Sequence, residues 1–412
     1  MNDRIPAEGK AGRMLITPEN GSAPFYATVT MADEPLEEGT PLNKANLLTD
    51  EAEISLFGSA ENRTVNDAFM GLGAQLKLIM GDMASITVTV KDHAENPAKN
   101  VLVSGIYSET GSAVYTNAGG VASGYIAEGN QTISVTGYAD LEDVSKTLVV
   151  VKGSTIAETL TPTRKNFAKF TSSQNTKFSG NVSTIDVSVV GGGAGGERAV
   201  VSGGGVVANG AGGSGGYVVT TDGIEVTPNH LYPVVIGSGG KGGGKTSTSS
   251  ASTGGGSSSA FGITANGAQA GTAATVYATA SNSTPSAPGA GNGIGAKGVV
   301  TTGSSDGAAG GNGKVDAYSS FTEIAAYGAG GGSGALNKGT PGAGGVFGGG
   351  EGGATSRTDP VSGSDATANT GSGGGGGAAF GSPDSGEAGI GGNGAAGVVT
   401  ARIHFDFGDL AA

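Results

Sequence analysis

The sequence predicts a mainly β, multidomain protein whose distal part is a glycine-rich β domain. Three observations carry this. Short runs that alternate apolar and polar residues recur from Ser85 onward. Of the 82 glycines, 17 lie in residues 1–190, leaving 82 − 17 = 65 for residues 191–412, so two building logics share one chain. Cysteine is absent, which excludes a disulfide framework, thiolate metal sites and a cysteine nucleophile.

Other classes are excluded as simply. With 14 prolines and no strict G-X-Y period, the glycine is not collagenous. A net charge of -13 without a Lys/Arg cluster argues against nucleic acid and other polyanions. No run approaches the roughly 18 uninterrupted apolar residues of a membrane helix, so no membrane insertion is expected. "MNDRIPAEGKAGRMLITPEN" has no apolar core of a signal peptide, so secretion by that route is not expected.

Residues 1–63 read as an extended lead-in with short helices, Thr40 capping one and Pro41 occupying its first turn, where a missing N–H is harmless. Thr64 and Asp67 have capping-box spacing and predict a helix over 64–84. Its Val65, Phe69, Leu72, Leu76, Ile79 and Met83 recur at intervals of 4, 3, 4, 3 and 4. That spacing fits the oligomer seam of a short coiled coil, or the apolar stripe of a single amphipathic helix. Gly71 and Gly73 weaken the helix in isolation, so it needs partners, and a homotrimer is the expected assembly.

Residues 85–163 read as a small antiparallel β-sandwich, with "SITVTVK", "NVLVSGIY", "AVYTN", "VASGYIA", "QTISVTGY" and "KTLVVVKG" as strands between Gly, Asn and Asp turns. Their order resembles the prealbumin-like, carboxypeptidase-regulatory sandwiches, which implies a spacer or adhesive module. Residues 164–412 form the distal domain. Ile185, Val187 and Val189 share one strand face near its start. Near its end, Val399, Ala401, Ile403, Phe405 and Phe407 share another, opposite Thr400, Arg402, His404 and Asp406. These strands bracket the glycine tracts. A tract this rich in glycine tends to disorder, yet Val299, Ile324, Leu336, Val346, Phe347, Phe380 and Ile390 recur inside it, which a flexible linker would not need. The expected alternative is a bundle of extended, threefold polyglycine-II-type helices whose backbones bond laterally.

"GSAPFYATVTMADEPLEEGTPLNKANLLTDE" resembles the start of tail-tip and tail-fibre proteins of tailed bacteriophages and prophages of Gram-positive bacteria. "STIDVSVVGGGAGG", "GGSGGYVV", "YPVVIGSGGKGG", "AFGITANGA" and "GGNGAAGVVTARI" resemble, in that order, the glycine-rich domain at the distal end of such fibres. The resemblance covers residues 15–60 and 166–412. It implies a jelly-roll-like distal domain and a receptor-binding virion protein made in the host cytoplasm. Residues 1–63 would then be its virion-attachment segment. The implied partners are a host-surface glycan or protein receptor and other tail or baseplate proteins. The ending "HFDFGDLAA" departs from the family pattern.

Several motifs compete with that reading. Gly239–Thr246 fits the phosphate-loop pattern G-x-x-x-x-G-K-[ST], but "STSSASTGGGSSSAFG" follows Lys245 and Thr246 where a helix is required. "GGNGKVDAY" departs from the calcium nonapeptide, since Asp316 is one place late and no tandem repeat follows. His93, His230 and His404 read as solvent-facing, without a nucleophile elbow. No enzyme, cofactor or metal is therefore expected. For receptor binding the candidates are Tyr277, Tyr318, Phe321, Tyr327 and Arg357, aromatic or planar groups borne between rigid elements. Tyr318, Phe321 and Tyr327 lie in "KVDAYSSFTEIAAYG", which reads as either a strand pair or an exposed loop. Phe347 and Phe380, flanked by glycine or alanine, read as plugs between glycine helices.

Overall fold

A computed structural model describes residues 13–16, 25–28, 70, 83–109, 111–202, 207–244, 251–275, 283–301, 303–315, 326–355, 361–380 and 387–406. Met70 is helical, within the helix expected over 64–84; every other element these residues form is a β-strand, in open sheets. The chain divides into two compact units, Met1–Phe69 and Met70–Ala412. In the first, β1 (Arg13–Ile16) and β2 (Phe25–Thr28) pair antiparallel, Arg13 opposite Thr28. The expected helices at 40–63 lie outside the described residues, as do Val65, Phe69, Leu72, Leu76 and Ile79. Met83 is described, and it corrects the expectation: it opens a strand, buried and paired with Ala127, rather than ending a helical seam.

The second unit begins with a sandwich-like pair of sheets. Strands β3 (Met83–Val90), β4 (Val121–Ala127) and β7 (Thr155–Leu160) form one sheet, with β3 antiparallel to β4 and parallel to β7. Strands β5 (Gly129–Val135) and β6 (Val144–Val150) form the other. The segment between crosses from one to the other, Ser104 bridging Ser134 and Tyr107 bridging Tyr125. Alternation sends Ile86, Val88, Ile126, Ile133, Val135 and Leu160 into a shared core. "AVYTN" makes only a single bridge, Tyr115 to Leu102, rather than a strand.

A second pair of sheets follows. One has the order β13-β10-β22-β8: β8 (Phe167–Phe170), β10 (Val182–Val190), β13 (Val218–Glu225) and β22 (Val398–Phe405). The other has the order β16-β15-β14-β9: β9 (Gln174–Thr176), β14 (Tyr232–Val235), β15 (Ser258–Ala260) and β16 (Ile263–Ala265). Ile185, Val187, Val189, Val399, Ala401, Ile403 and Phe405 face the second sheet, as their alternation predicts, and Phe178 packs there on Tyr232 and Phe261. The bracketing strands β10 and β22 pair along their length, from Val182 opposite Phe405 to Val190 opposite Val398.

Glycine segments leave this sandwich directly from its strand ends. The stretches 191–197, 207–216, 327–336 and 370–379 are buried throughout. Their backbone bonds repeat every three residues. The N–H groups of Gly191, Ala194 and Glu197 donate to the carbonyls of Tyr217, Ser214 and Ala211; those of Gly192 and Gly195 to Gly256 and Thr253; those of Gly193 and Gly196 to Ala395 and Gly392. In return, Gly240 and Gly243 donate to the carbonyls of Gly193 and Gly196, Gly374 and Gly377 to those of Ala194 and Glu197, and Ala268 to that of Gly192. One segment thus bonds to six neighbours, three as donor and three as acceptor. The segment around Gly374 repeats the pattern: it donates to Ala194 and Glu197, to Ala329 and Gly332, and to Ser364. Only glycine fits here, because a Cβ on Gly193 would lie 2.0 Å from the Ser372 carbonyl oxygen, and one on Gly373 1.9 Å from that of Gly213.

Apolar clusters close both ends of the four central segments. Val190, Val218, Tyr327 and Val398 pack together where those segments meet the sandwich. Ala199, Val207, Leu336 and Ala379 pack together at the opposite ends. There the short strands β11 (Val200–Val201), β12 (Val207–Ala208) and β17 (Val300–Thr301) form a three-stranded sheet, and β20 (Ala379–Phe380) pairs with β21 (Glu387–Ala388). A last pair, β18 (Lys314–Val315) with β19 (Ala326–Tyr327), takes the strand-pair reading of "KVDAYSSFTEIAAYG" at its two ends.

The two sandwiches are clasped by polar groups rather than strung on a free linker. Asn181 accepts the Lys99 N–H at 2.7 Å and donates to the Pro97 carbonyl at 3.1 Å. Asn229 accepts from the Tyr138 hydroxyl and donates to the Asn100 carbonyl. Asp140 accepts from the Ser179 N–H and hydroxyl. Burial pushes the Asp140 carboxyl up, against the pull of those two bonds. Arg164 lies 3.6 Å from Asp92 and stacks on Phe405 at 4.4 Å.

Two measurements check this architecture. Gly193→Ala should lower stability by about 3 kcal/mol or more in thermal melting, since overpacking against rigid backbone cannot relax. Gly303→Ala, with its nearest obstacle 3.7 Å away, should change it little. Asn181→Ala leaves the half-buried Lys99 N–H and Pro97 carbonyl without their side-chain partner and should cost about 1 kcal/mol or more, read as an earlier calorimetric transition that splits the two sandwiches.

Candidate functional site

Because a Cβ collides inside the bundle, larger side chains are driven to its rim. Leu336 is buried, but Ile294, Val299, Val346, Phe347 and Val361 are exposed, Val346 at 54% and Phe347 at 43%. This reverses the reading of Phe347 as a plug between glycine helices. Phe380 is half-buried on β20.

Phe347 also stands out in its backbone. Its φ of 74° is left-handed, a region that favours glycine and costs other residues about 1 kcal/mol or more. Hydrogen bonds hold it there. Its carbonyl accepts from the Ser372 hydroxyl at 3.3 Å, Gly349 N–H donates to the Gly345 carbonyl, and Thr367 N–H donates to the Gly348 carbonyl. Val346 N–H donates to the Asn312 side chain. Ile294 borders the same segment, its carbonyl accepting from Gly311 N–H. Exposed apolar groups on neighbouring segments are thereby fixed on a stiff base.

Of the receptor-contact candidates, Tyr277, Tyr318, Phe321 and Arg357 lie outside the described residues. Tyr327 is fully buried in the cluster that joins bundle to sandwich, so it serves packing and not contact with a receptor. The phosphate-loop pattern resolves as bundle: Gly240 and Gly243 N–H groups donate to the carbonyls of Gly193 and Gly196 and so do not converge on a cradle. Lys241 is exposed, and Lys245 and Thr246 are outside the described residues. In "GGNGKVDAY", Gly310 and Gly311 N–H groups donate to Ala343 and Ile294. Among the described residues no group of three or more His, Asp or Glu is placed to hold a metal.

His404 is not simply solvent-facing: its Nε2 lies 2.6 Å from Asp186 Oδ2, and Asp186 also accepts the Gly223 N–H. Ser188 stands two residues farther along β10, opposite Thr400, so the pair lacks an adjoining serine nucleophile on its own strands. The first sandwich carries an open cleft of about 490 Å³, lined by Ser85, Thr87, Ser108, Glu109, Ser123 and Tyr125. Sequence reading passed over these residues because hydroxyls on an outward strand face look like ordinary solvent-facing positions.

One acid is buried in the bundle. Glu197 is 1% exposed, bonded through Oε1 to the Ser252 hydroxyl, while Oε2 has no hydrogen-bond partner. Burial pushes its carboxyl up from 4.5, partly offset by the Ser252 bond and by Arg198. A raised carboxyl favours the folded state only while protonated, so stability is fullest below 4.5 and falls as pH rises through the folded-state value. Glu197→Gln should therefore raise the melting temperature near neutral pH and match the wild type below pH 4.5, as a pH series of melts would read.

The family described as "Glycine-rich domain" matches residues 169–404, more than half of the chain. No curated protein matches. The match begins within β8 and ends within β22, so it takes in the second sandwich together with every glycine segment of the bundle. This chain belongs to the glycine-rich domain family.

Proposed function

We propose that this protein is a structural tail protein of a tailed bacteriophage or prophage, a tail fibre or tail-tip receptor-binding protein. It attaches the virion non-covalently to the bacterial surface. The observation that carries the proposal is the bundle rim: Val346 and Phe347, with Ile294 nearby, are exposed on segments whose backbones are bonded on several sides. Rigid apolar contacts suit attachment, because little conformational freedom is lost on binding. In this reading the bundle segments are polyglycine-II-type helices, favoured by the three-residue step of their bonds.

The resemblance of residues 15–60 to tail proteins supplies the virion end, and the homotrimer, with a seam of Val65, Phe69, Leu72, Leu76 and Ile79 that stops short of β3, supplies several copies per fibre. Weak sites so repeated gain avidity without new contacts. The first sandwich acts as a spacer of the prealbumin-like, carboxypeptidase-regulatory kind, clasped so that the jelly-roll-like distal domain is held in a fixed direction.

Labelled full-length protein should bind saturably to some members of a panel of Gram-positive bacteria. Phe347→Ser should weaken binding at least about tenfold, as loss of a central apolar anchor does, with its melting temperature kept. A folded protein that binds none of the cells, or a Phe347→Ser variant that binds unchanged, would contradict the assignment. Release of reducing sugar from the cell wall would favour a glycan-cleaving enzyme instead.

A further inference from the structure

The cleft on the first sandwich has the chemistry of a second binding site. It lies on the outer face of the β4-β3-β7 sheet, where alternation places Ser85 and Thr87 of β3 opposite Tyr125 and Ser123 of β4. Thr155 of β7 stands beside Ser85, its hydroxyl accepting from the Ser85 hydroxyl at 3.1 Å. Thr87 and Ser123 hydroxyls approach to 3.4 Å. The floor is thus a row of hydroxyls over a packed core: Ser85 and one of the Thr87–Ser123 pair spend their proton on a neighbour and keep lone pairs to accept with, while Thr155 and the other of that pair keep a proton to donate.

A folded-back turn makes the wall. Tyr107 bridges Tyr125, and beyond it the Ser108 hydroxyl accepts the Ser112 N–H at 2.8 Å and the Ser108 carbonyl accepts the Gly111 N–H. This sets Glu109 over the sheet. Its Oε1 accepts from the Tyr125 hydroxyl at 3.0 Å, which fixes the tyrosine ring in place and leaves Oε2 to accept a further bond. Glu109 is the one charged residue lining the cleft.

A volume of about 490 Å³ is within the range of small-ligand sites, roughly 300–1,000 Å³. The lining then selects the ligand. A carboxylate oxygen and hydroxyls match a molecule with many hydroxyls, and an aromatic ring matches one with an apolar C–H face. The Glu109 charge and the net charge of -13 disfavour anions. We propose that this cleft binds a neutral hexopyranose unit through Tyr125, Glu109 and the Ser85–Thr87–Ser123 hydroxyls. That the sugar belongs to a cell-surface glycan rests on the attachment reading; the binding itself does not.

Saturation-transfer NMR of the full-length protein with the methyl glycosides of glucose, galactose, N-acetylglucosamine and rhamnose tests this. At least one should give a saturable signal, weakened about tenfold or more in Tyr125→Ala. Ser123→Leu, a change at an exposed position that fills the cleft, should abolish it with melting unchanged. Phe347→Ser should leave it intact while cell binding falls, which separates this site from the bundle rim. Absence of a signal from every glycoside, or a signal that survives both cleft variants, overturns the proposal; loss of the signal in Phe347→Ser alone places the sugar on the rim and does the same.

Discussion

The lateral N–H···O=C bond between glycine segments is the interaction on which the distal domain depends. Ordering one residue costs about 1–2 kcal/mol in backbone entropy, more for glycine, whereas one such bond returns a net of about 0.5–1.5 kcal/mol. An isolated segment therefore loses. A segment such as 191–197 persists because its amides and carbonyls are shared among six neighbours and because leaving any of them buried and unbonded would cost about 1–3 kcal/mol each. The structure is cooperative by necessity, since removing one segment strands the groups of several others.

From this follows an inversion of the usual plan of a core. The glycine positions exclude even a methyl group and the positions between them hold mostly alanine and serine, so the large apolar side chains serve as end caps, as in the Val190, Val218, Tyr327 and Val398 cluster, or stand at the rim. The interior side chains are small, and they take part in the bonding: the Ser214 hydroxyl donates to the Gly289 carbonyl and accepts the Gly295 N–H, and the Ser333 hydroxyl accepts the Ala308 N–H. The sandwich gives the bundle its origin. Val190 passes straight into Gly191, and Gly397 straight into Val398, so the strand register between β10 and β22 sets where the glycine segments begin.

Much of this was legible in the residues. Alternation at Ile185, Val187 and Val189, and from Val399 to Phe405, identified the bracketing strands and their core face, because period two puts one set of side chains on one face; that the two strands pair with each other was not legible. The glycine excess with scattered apolar residues pointed to a packed bundle in place of disorder. The positions of those apolar residues were not legible. A segment whose bonds step by three residues has three similar sides, and whether Leu336 turns to a buried end or Phe347 to the rim is settled by which neighbours surround it, a long-range matter. Tyr327 looked like a contact residue for the same reason, since nothing nearby in sequence shows that it meets Val190, Val218 and Val398. The cleft beside Tyr125 depends on a bridge to Tyr107, which likewise leaves no local trace.

Amide hydrogen exchange on the full-length protein tests the lateral bonding most directly. The amides of residues 191–197, 210–216, 330–335 and 373–377 should exchange as slowly as those of β10 and β22, and together, because they open only with the whole domain. Exchange of these glycines at the rate of an unstructured peptide, beside protected amides in β10 and β22, would contradict the account.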